Sequence, residues 1–324
     1  MQESQNSFSF NTSFSGSSNQ TFPEPLKRFL SSPYIALLGI LCLLIFGSNG
    51  LVIYLICKKR TLRSITNMFL TSLALSDLIS GVVGFPLLAI CSLKEFIHIC
   101  VSSVMFIRFS AIASVCHVLL IAVDRYIAIV HPLQRATLVT KRRAIFTTVF
   151  VWILSFTASF IQMTWYFPEN TVLDEYEDKT ENIDVKYSKA CIVFFFAVPL
   201  VLMCFIYGRI FYISCKHTES DRRLSVSLQQ AAPRFLRPNE WRGKSVLLIL
   251  VVIFIGCWLP FFWAMLGDHK ESSQFSPMPL WVERLMIFLR FLPPLSNPLL
   301  CTLWKQDFRS ALRTEVFQKI IRNT

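Results

Sequence analysis

Long apolar stretches alternate with short polar segments along most of this chain. Each stretch runs for about 20 residues or more, the length that an α-helix needs to cross the hydrocarbon core of a membrane. The seven stretches are Tyr34–Cys57, Ile65–Cys91, Cys100–Tyr126, Ala144–Tyr166, Ser188–Cys215, Lys244–Leu266 and Leu280–Leu303. A soluble protein with seven such runs would have no face left for water. The pattern therefore predicts an all-α membrane protein, a bundle of seven transmembrane helices.

Composition supports a membrane protein and excludes several other classes. Apolar residues make up 53% of the 324 residues and charged residues only 16%, whereas soluble domains carry about 25% charged residues. These proportions exclude disordered, collagen-like and coiled-coil chains. Ten cysteines are too few for a disulfide scaffold.

Basic residues fix the predicted orientation. Twenty-two of the 32 Lys and Arg residues lie in the segments after the first, third and fifth spans, at the span ends that border these segments, or in the C-terminal tail. Basic loops stay in the cytoplasm, so the sequence predicts a multi-pass plasma-membrane protein with an extracellular N-terminus. The net charge of +12 follows from this topology and from attraction to the anionic inner leaflet, without a nucleic-acid partner.

The two ends of the chain predict different environments. Residues 1–33 contain sequons for N-glycosylation at Asn11 and Asn19, so this segment is predicted to be a glycosylated extracellular tail. It shows no cleavable signal peptide. Residues 34–304 form the predicted bundle. Residues 305–324 are predicted to be cytoplasmic and to include an amphipathic eighth helix, because apolar residues recur there every four positions with basic residues between them.

Polar side chains inside the spans are the first functional candidates. Asn49, Asp77 and Asn297 lie at membrane depth, where an ionisable or strongly polar group is costly and commonly functional. Interhelical hydrogen bonding is the simpler explanation for the two asparagines. It explains Asp77 less well, because an isolated carboxylate needs a counter-charge or a proton.

A series of short motifs, at most one or two to a span, gives the chain its family resemblance. They are Asn49, Leu73–Leu78 (LAxxD), Asp124-Arg125-Tyr126 (DRY), Trp152, the pair Pro199 and Tyr207, Phe254–Pro260 (FxxCWxP) and Asn297-Pro298 (NPxxY). In this order the chain resembles the rhodopsin-like, class A, G-protein-coupled receptors over nearly all of residues 34–320. Within that family it is similar to the adenosine, cannabinoid, lysolipid and fatty-acid-amide receptor branch.

The resemblance implies a switch at the cytoplasmic ends of the helices. An ion pair between Arg125 and Glu240 would hold helices three and six together at rest, and its loss would free helix six. The switch residues implied are Asp124, Arg125, Tyr126, Tyr207, Glu240, Pro260 and Pro298. The implied partner is a heterotrimeric G protein, with arrestin and receptor kinases as further partners. No nucleophile–base pairing or phosphate-binding loop is apparent, so the chain is not expected to be an enzyme.

A ligand pocket is expected on the outer side of the bundle. Its implied lining is Ile107, Arg108, Ala111, Trp258, Phe262, Met265, Glu283 and Arg290. Ile107 stands where amine receptors carry an aspartate, so a cationic amine would have no counter-ion. Two arginines in apolar surroundings favour a lipid or another largely apolar acid. The alternatives are an adenosine-like nucleoside receptor and a receptor-fold protein that does not signal.

The resemblance also implies an internal site for an allosteric sodium ion and no other cofactor. Its residues would be Asn49, Asp77, Ser114, Trp258 and Asn297, although Pro293 stands where many relatives carry asparagine. Two further departures from the family are visible. Cys301 replaces the NPxxY tyrosine, and the second outer loop has no cysteine to pair with Cys100. Cys91 or Cys191 could form that bridge, or Cys100 could be free.

Overall fold

The structure is a computed structural model, and all regular elements within its described residues are helical. The described residues are 33–94, 97–166, 183–184, 186–227, 249, 252–253, 255–260, 280–304 and 306–323. The two predicted glycosylation sites, Asn11 and Asn19, lie outside the described residues. So does most of the sixth predicted span.

Eight helices, numbered here in chain order, make up the described fold. Helix α1 is Pro33–Lys58, α2 runs through Ile65–Ile79, a π-helical turn at Ser80–Gly84 and Phe85–Lys94, α3 is Ile97–Val130, and α4 is Lys141–Phe160. Helix α5 runs from residue 186 through a π-helical turn at Val193–Ala197 and then Val198–Ser227, α6 is the helical run 255–260, α7 is Leu280–Trp304, and α8 is Gln306–Asn323. Short helical turns occur at Arg60–Leu62, Arg135–Leu138 and Met163–Tyr166.

Five helices among the described residues are long and apolar enough to cross a membrane. They are Ala36–Lys58, Ile65–Cys91, His98–Val130, Lys141–Trp165 and Lys186–Ile213. These ranges coincide with the first five predicted spans, which confirms the all-helical membrane fold. Helix α7 begins at Leu280, where the seventh span was predicted to begin. The total of seven spans and the membrane contact of α8 stay predictions.

Local capping explains where α2 and α4 begin. The side chain of Ser64 accepts a hydrogen bond from the backbone N–H of Asn67, and Thr140 does the same for Arg143. Such N-caps satisfy backbone N–H groups that have no partner inside the helix. Both caps follow basic turns, so the helices start at the edge of their apolar stretches.

Helix α3 lies at the centre of the described bundle. It contacts α2, α4 and α5, while α1 packs against α2 and α7. The residues of α3 that face these neighbours are fully enclosed; Ile112, for example, has no exposed surface. Large apolar side chains elsewhere point outward, such as Leu43, which is 73% exposed. Soluble proteins bury most of their large apolar side chains, whereas a helix in lipid can present them on its outer face.

A hydrogen-bonded chain fixes α2, α3 and α4 to one another. The indole N–H of Trp152 donates to Ser72 Oγ at 2.8 Å. The Ser72 hydroxyl lies 2.8 Å from His117 Nε2, and His117 Nδ1 lies 2.7 Å from the Ala113 carbonyl oxygen. The carbonyl can only accept, so His117 carries its proton on Nδ1. Every polar group in this buried series of hydrogen bonds has a partner. The bonds therefore fix the part of α3 that contains His117.

Candidate functional site

A partly open cavity lies between α2, α3, α6 and α7, with about 330 Å³ of space that includes its opening to solvent. Six residues of the predicted ligand and sodium sites line it: Asp77, Ile107, Ala111, Ser114, Trp258 and Arg290. The five other described lining residues were not predicted to contribute, namely Ser80, Ser110, Val115, Pro293 and Pro294. Parts of the two predicted sites therefore meet in one cavity, which has apolar walls, several hydroxyl groups, one carboxyl group and one guanidinium.

Arg290 brings a guanidinium into this cavity from the middle of α7. The group lies over the Trp258 ring, with its central carbon 5.9 Å from the ring centroid. Trp258 in turn packs on Phe196 of α5, with 4.7 Å between ring centroids. A charge on Arg290 is thus connected by two contacts to helices five, six and seven.

Arg108, the second arginine of the predicted ligand site, does not line the cavity. Its Nη2 donates to Ser188 Oγ at 3.2 Å, and its guanidinium lies 5.9 Å from the centroid of the Tyr187 ring. These contacts hold it against the start of α5. Its buried Nη1 makes no hydrogen bond with the described residues. Phe262, Met265 and the side chain of Glu283, also predicted for this site, lie outside the described part of the chain.

Asp77 is only 1% exposed and has two polar neighbours. Asn297 Nδ2 donates to its Oδ2 at 2.9 Å, and the Ser114 hydroxyl also bonds to the carboxylate. The other oxygen, Oδ1, has no hydrogen-bond partner in the described part of the chain. Asp77 therefore lines the cavity and has one carboxylate oxygen without a hydrogen-bond partner among the described residues.

The five residues of the predicted sodium site are divided between two cavities. Asp77, Ser114 and Trp258 line the first one. Asn49 and Asn297 line a second cavity of about 200 Å³, together with Pro298. Asn49 Nδ2 donates to the carbonyl oxygens of Ile45 and Pro294, which joins α1 to the part of α7 that contains prolines. Among the described contacts, the Asn297–Asp77 hydrogen bond connects the two groups.

The first cavity meets one requirement of a sodium ion and conflicts with another. An open carboxylate oxygen and hydroxyl groups are the oxygen ligands that a hard cation prefers. However, the same cavity already contains the positive charge of Arg290, and Pro293 offers no side-chain oxygen. The donor types fit the ion, but the charge in the cavity does not.

The acid–arginine pair predicted at the cytoplasmic end of α3 lies beside α2. Asp124 accepts a hydrogen bond from Thr66 Oγ1 at 2.5 Å, and its two oxygens each lie 3.5 Å from a guanidinium nitrogen of Arg125 or Arg135. Arg125 also donates to the Thr66 hydroxyl. Glu240, the predicted partner of Arg125, lies outside the described residues, so that ion pair stays a prediction.

Thr66 was missed in the sequence, because an isolated threonine near the end of an apolar stretch gives no signal.

The other predicted switch residues lie on α3, α5, α6 and α7. Tyr207 is buried in the core, Tyr126 contacts the His131 ring with 6.2 Å between centroids, Pro260 is exposed, and Pro298 is buried. Their roles in a conformational change stay predictions.

Cys100 is bonded to Cys91, and this decides between the partners that the sequence left open. The two Cα atoms lie 4.8 Å apart, nine residues apart in sequence. Cys191 is a free, buried thiol near the start of α5, so the alternative bridge between Cys100 and Cys191 is wrong. The bond joins the end of α2 to the start of α3.

Helix α8 packs against the end of α1. Phe308 has no exposed surface, and Glu315 forms ion pairs with Lys58 and Lys59, the latter at 3.2 Å. The hydroxyl of Tyr54 donates to Glu315 at 3.2 Å. An apolar anchor and an acidic one therefore hold α8 to α1.

Comparison with known proteins identifies the family. Residues 48–300 match the model of the 7 transmembrane receptor (rhodopsin family). The chain is 30% identical to the histamine H2 receptor of Cavia porcellus, over 85% of this chain and 77% of that receptor. It is 27% identical to the adenosine receptor A2b of Gallus gallus, over 91% of each. It is 24% identical to the melatonin receptor type 1A of Phodopus sungorus, over 81% and 73% respectively.

The chain therefore belongs to the rhodopsin family of seven-transmembrane receptors, the class A G-protein-coupled receptors. It is accordingly a multi-pass plasma-membrane receptor for signalling and not an enzyme. The family predicted from the order of the motifs is confirmed.

Proposed function

We propose that this receptor binds a largely apolar ligand with one acidic group and responds by activating a heterotrimeric G protein. The observation that carries the proposal is the guanidinium of Arg290 in an otherwise mostly apolar cavity. A guanidinium forms two parallel hydrogen bonds with a carboxylate or phosphate and remains charged at any physiological pH. An acid is therefore the ligand group that this wall of the cavity favours.

The same charge disfavours a cationic ligand. Histamine, which gives one relative its name, is an amine, and its ammonium would meet Arg290 without a carboxylate at Ile107. Adenosine, which gives another relative its name, is a neutral nucleoside and would not be repelled. The match to that receptor over 91% of both chains makes a nucleoside the second candidate.

The contacts around Arg290 supply a route from ligand to helix movement. An acid drawn to Arg290 changes the charge over Trp258, which lies two residues before Pro260 on α6. A proline inside a helix removes a backbone hydrogen bond and permits a bend there. Movement of α6 about this point would open the cytoplasmic end of the bundle, where Arg125 lies.

A signalling assay with a charge-removing variant tests this proposal. G-protein dissociation and cyclic AMP are measured in cells that express the wild type, Arg290→Gln or Arg284→Gln. The ligand panels are fatty acids and lysolipids, lipid amides of the same chain lengths, nucleosides and histamine. Arg284 is a matched control on α7, because it lies 5.8 Å from the Tyr34 ring and does not line the cavity.

We expect the acids to activate the wild type and the Arg284→Gln variant. A hydrogen bond to a charged group contributes about 1.5–3 kcal/mol, so Arg290→Gln should weaken the response about tenfold or more at equal surface expression. A response to nucleosides alone, unchanged in Arg290→Gln, contradicts the acid. Silence to every panel at normal surface expression favours the receptor that does not signal.

A further inference from the structure

The start of α5 has no covalent link to α3 in the described part of the chain. Cys100 is bonded to Cys91, and residues 167–190 contain no cysteine that could bond to α3 instead. Cys191 is a free thiol. Noncovalent contacts therefore decide whether the start of α5 is fixed to its neighbours.

Tyr187, the second residue of α5, contacts two other parts of the bundle. Its hydroxyl donates a hydrogen bond to the Ala158 carbonyl oxygen of α4. Its ring lies edge-on to the Trp165 ring just after α4, with 5.2 Å between centroids. The Arg108 guanidinium of α3 lies 5.9 Å from the centroid of the Tyr187 ring. One side chain thus joins the start of α5 to both α3 and α4.

Two side-chain hydrogen bonds flank Tyr187 in the chain. Arg108 Nη2 donates to Ser188 Oγ at 3.2 Å, and Ser188 is buried. The side-chain amide of Gln162, just after α4, donates to Asp184 Oδ1, and Gln162 is also buried. A buried polar group that loses its partner costs more free energy than an exposed one. Both bonds therefore resist opening.

We propose that Arg108, Gln162, Asp184, Tyr187 and Ser188 form a noncovalent clasp, which fixes the start of α5 to α3 and α4 in place of a disulfide. Each contact contributes little by itself, but contacts that share a side chain support one another. Unlike a disulfide, the clasp opens without reduction, so α5 is released by a change of contacts alone. This inference goes beyond the proposed function and does not depend on the ligand.

The α3 side of the clasp lies close to the ligand cavity. Arg108 directly follows Ile107, and Ala111 comes one turn later on the same helix; both Ile107 and Ala111 line the cavity. The residue of α3 that the clasp uses is thus within one turn of the cavity wall. We expect a movement of α3 at this wall to act on the clasp directly.

Hydrogen exchange of the purified receptor without ligand tests the inference. Backbone exchange is followed in residues 186–192, at the start of α5. The samples are the wild type with and without a reducing agent, Tyr187→Phe, Arg108→Gln, the double variant and Cys91→Ser. Tyr212→Phe is the matched control, because Tyr212 is an exposed tyrosine much further along the same helix. Signalling plays no part in this readout, so its result is independent of the proposed function.

We expect Tyr187→Phe to raise the exchange rate in residues 186–192 by about threefold to tenfold, because the ring stays and one hydrogen bond is lost. Arg108→Gln should raise it at least as much, since it removes both the bond to Ser188 and the contact with the Tyr187 ring. The double variant should gain less than the product of the two single effects, because either change alone already opens the clasp. Reduction, Cys91→Ser and Tyr212→Phe should leave these residues as in the wild type.

Three results would overturn the inference. Faster exchange in residues 186–192 after reduction, or in Cys91→Ser, would make the disulfide the anchor of α5. Rates in Tyr187→Phe and Arg108→Gln that equal those in Tyr212→Phe would mean that apolar packing alone holds the start of α5. Independent effects of the two changes in the double variant would mean that the contacts do not form one unit. Where Arg108→Gln does not fold, Ser188→Ala takes its place, because it removes the same hydrogen bond from the α5 side.

Discussion

Thr66 holds two charged side chains of α3 at the same time. Its hydroxyl donates to Asp124 Oδ2 at 2.5 Å and accepts a hydrogen bond from Arg125. Because Thr66 lies on α2, it ties the acid–arginine pair to a neighbouring helix. Arg125 is thereby held beside α2, and we expect activation of the receptor to break this arrangement.

Replacing Thr66 with valine should raise signalling in the absence of ligand. Valine keeps the branched shape but removes the hydroxyl, and a hydrogen bond to a charged group contributes about 1.5–3 kcal/mol. We expect basal G-protein activation to increase several-fold when it is normalised to surface expression. The matched control is Thr71→Val, because among the described residues the Thr71 hydroxyl bonds to the Asn67 carbonyl, within its own helix. Basal activity equal in both variants would show that Thr66 does not restrain Arg125.

Asp77 and Arg290, which were identified from the sequence, are charged, whereas Thr66 and Ser72, which were missed, carry only a hydroxyl group. Asp77 and Arg290 were found because a charge inside an apolar stretch is costly and therefore conspicuous. Thr66 and Ser72 were not found, because hydroxyl groups are tolerated inside membrane helices and can bond within their own helix. Their partners, Asp124 and His117, lie on α3 and are brought near only by helix packing.

Among the elements, α8 has the contact with the clearest dependence on charge. Glu315 lies among Lys58, Lys59 and Tyr54 at the end of α1. Hydrogen bonding from Lys58, followed by that from Lys59, lowers the pKa of the Glu315 carboxyl to about 2, from an ordinary value of 4.5. A carboxyl group whose pKa is lowered by folding stabilises the folded state at any pH above its ordinary pKa. This stabilisation is lost as the pH falls towards 2.

Neutralising Glu315 should therefore loosen α8 throughout the physiological pH range. We expect Glu315→Gln to increase hydrogen exchange in residues 306–315, while the wild type keeps the same protection between about pH 5 and pH 8. High salt should reduce the difference, since partly exposed ion pairs are screened. Arg313→Gln is the control, because Arg313 is an exposed charge on the same helix without an ion pair among the described residues. Unchanged exchange in Glu315→Gln would mean that Phe308 alone anchors α8.

At the scale of the whole molecule, one covalent bond constrains the end of the bundle where α2 meets α3. The Cys91–Cys100 disulfide closes the turn between α2 and α3. It leaves α5 unconnected to α3 by any covalent bond in the described part of the chain, since Cys191 is a free thiol. The outer end of α5 is thus held to α3 by contacts such as that of Arg108 with Ser188.

Removing either half of this disulfide should destabilise the receptor equally. Closing a loop of about nine residues contributes about 2–3 kcal/mol in the chain-entropy model. We expect Cys91→Ser and Cys100→Ser to lower the melting temperature by the same amount, and the double variant to lower it no further. Cys191→Ser, which replaces a buried thiol that forms no disulfide, is the control and should have a smaller effect. Full additivity of the two single changes would contradict the pairing.

The sequence by itself determined the kind of molecule. Seven apolar stretches, basic segments between them and an ordered set of motifs defined a helical membrane receptor, because membrane thickness and the cost of burying charge act on the chain locally. Helices were found over the first five and the seventh of these stretches, with ends that differ by up to about three turns. The charged residues inside the membrane spans that line the cavity, Asp77 and Arg290, were identified in the same way.

Only the tertiary structure decided which of these groups meet. It paired Cys100 with Cys91, brought Asp77 and Arg290 to one cavity, turned Arg108 towards Ser188, and placed Thr66 on the acid–arginine pair. These outcomes depend on how far each helix is rotated about its axis, since adjacent residues differ by about 100°. A helix with apolar residues on every face carries no pattern that fixes that rotation. The packing of its neighbours fixes it instead.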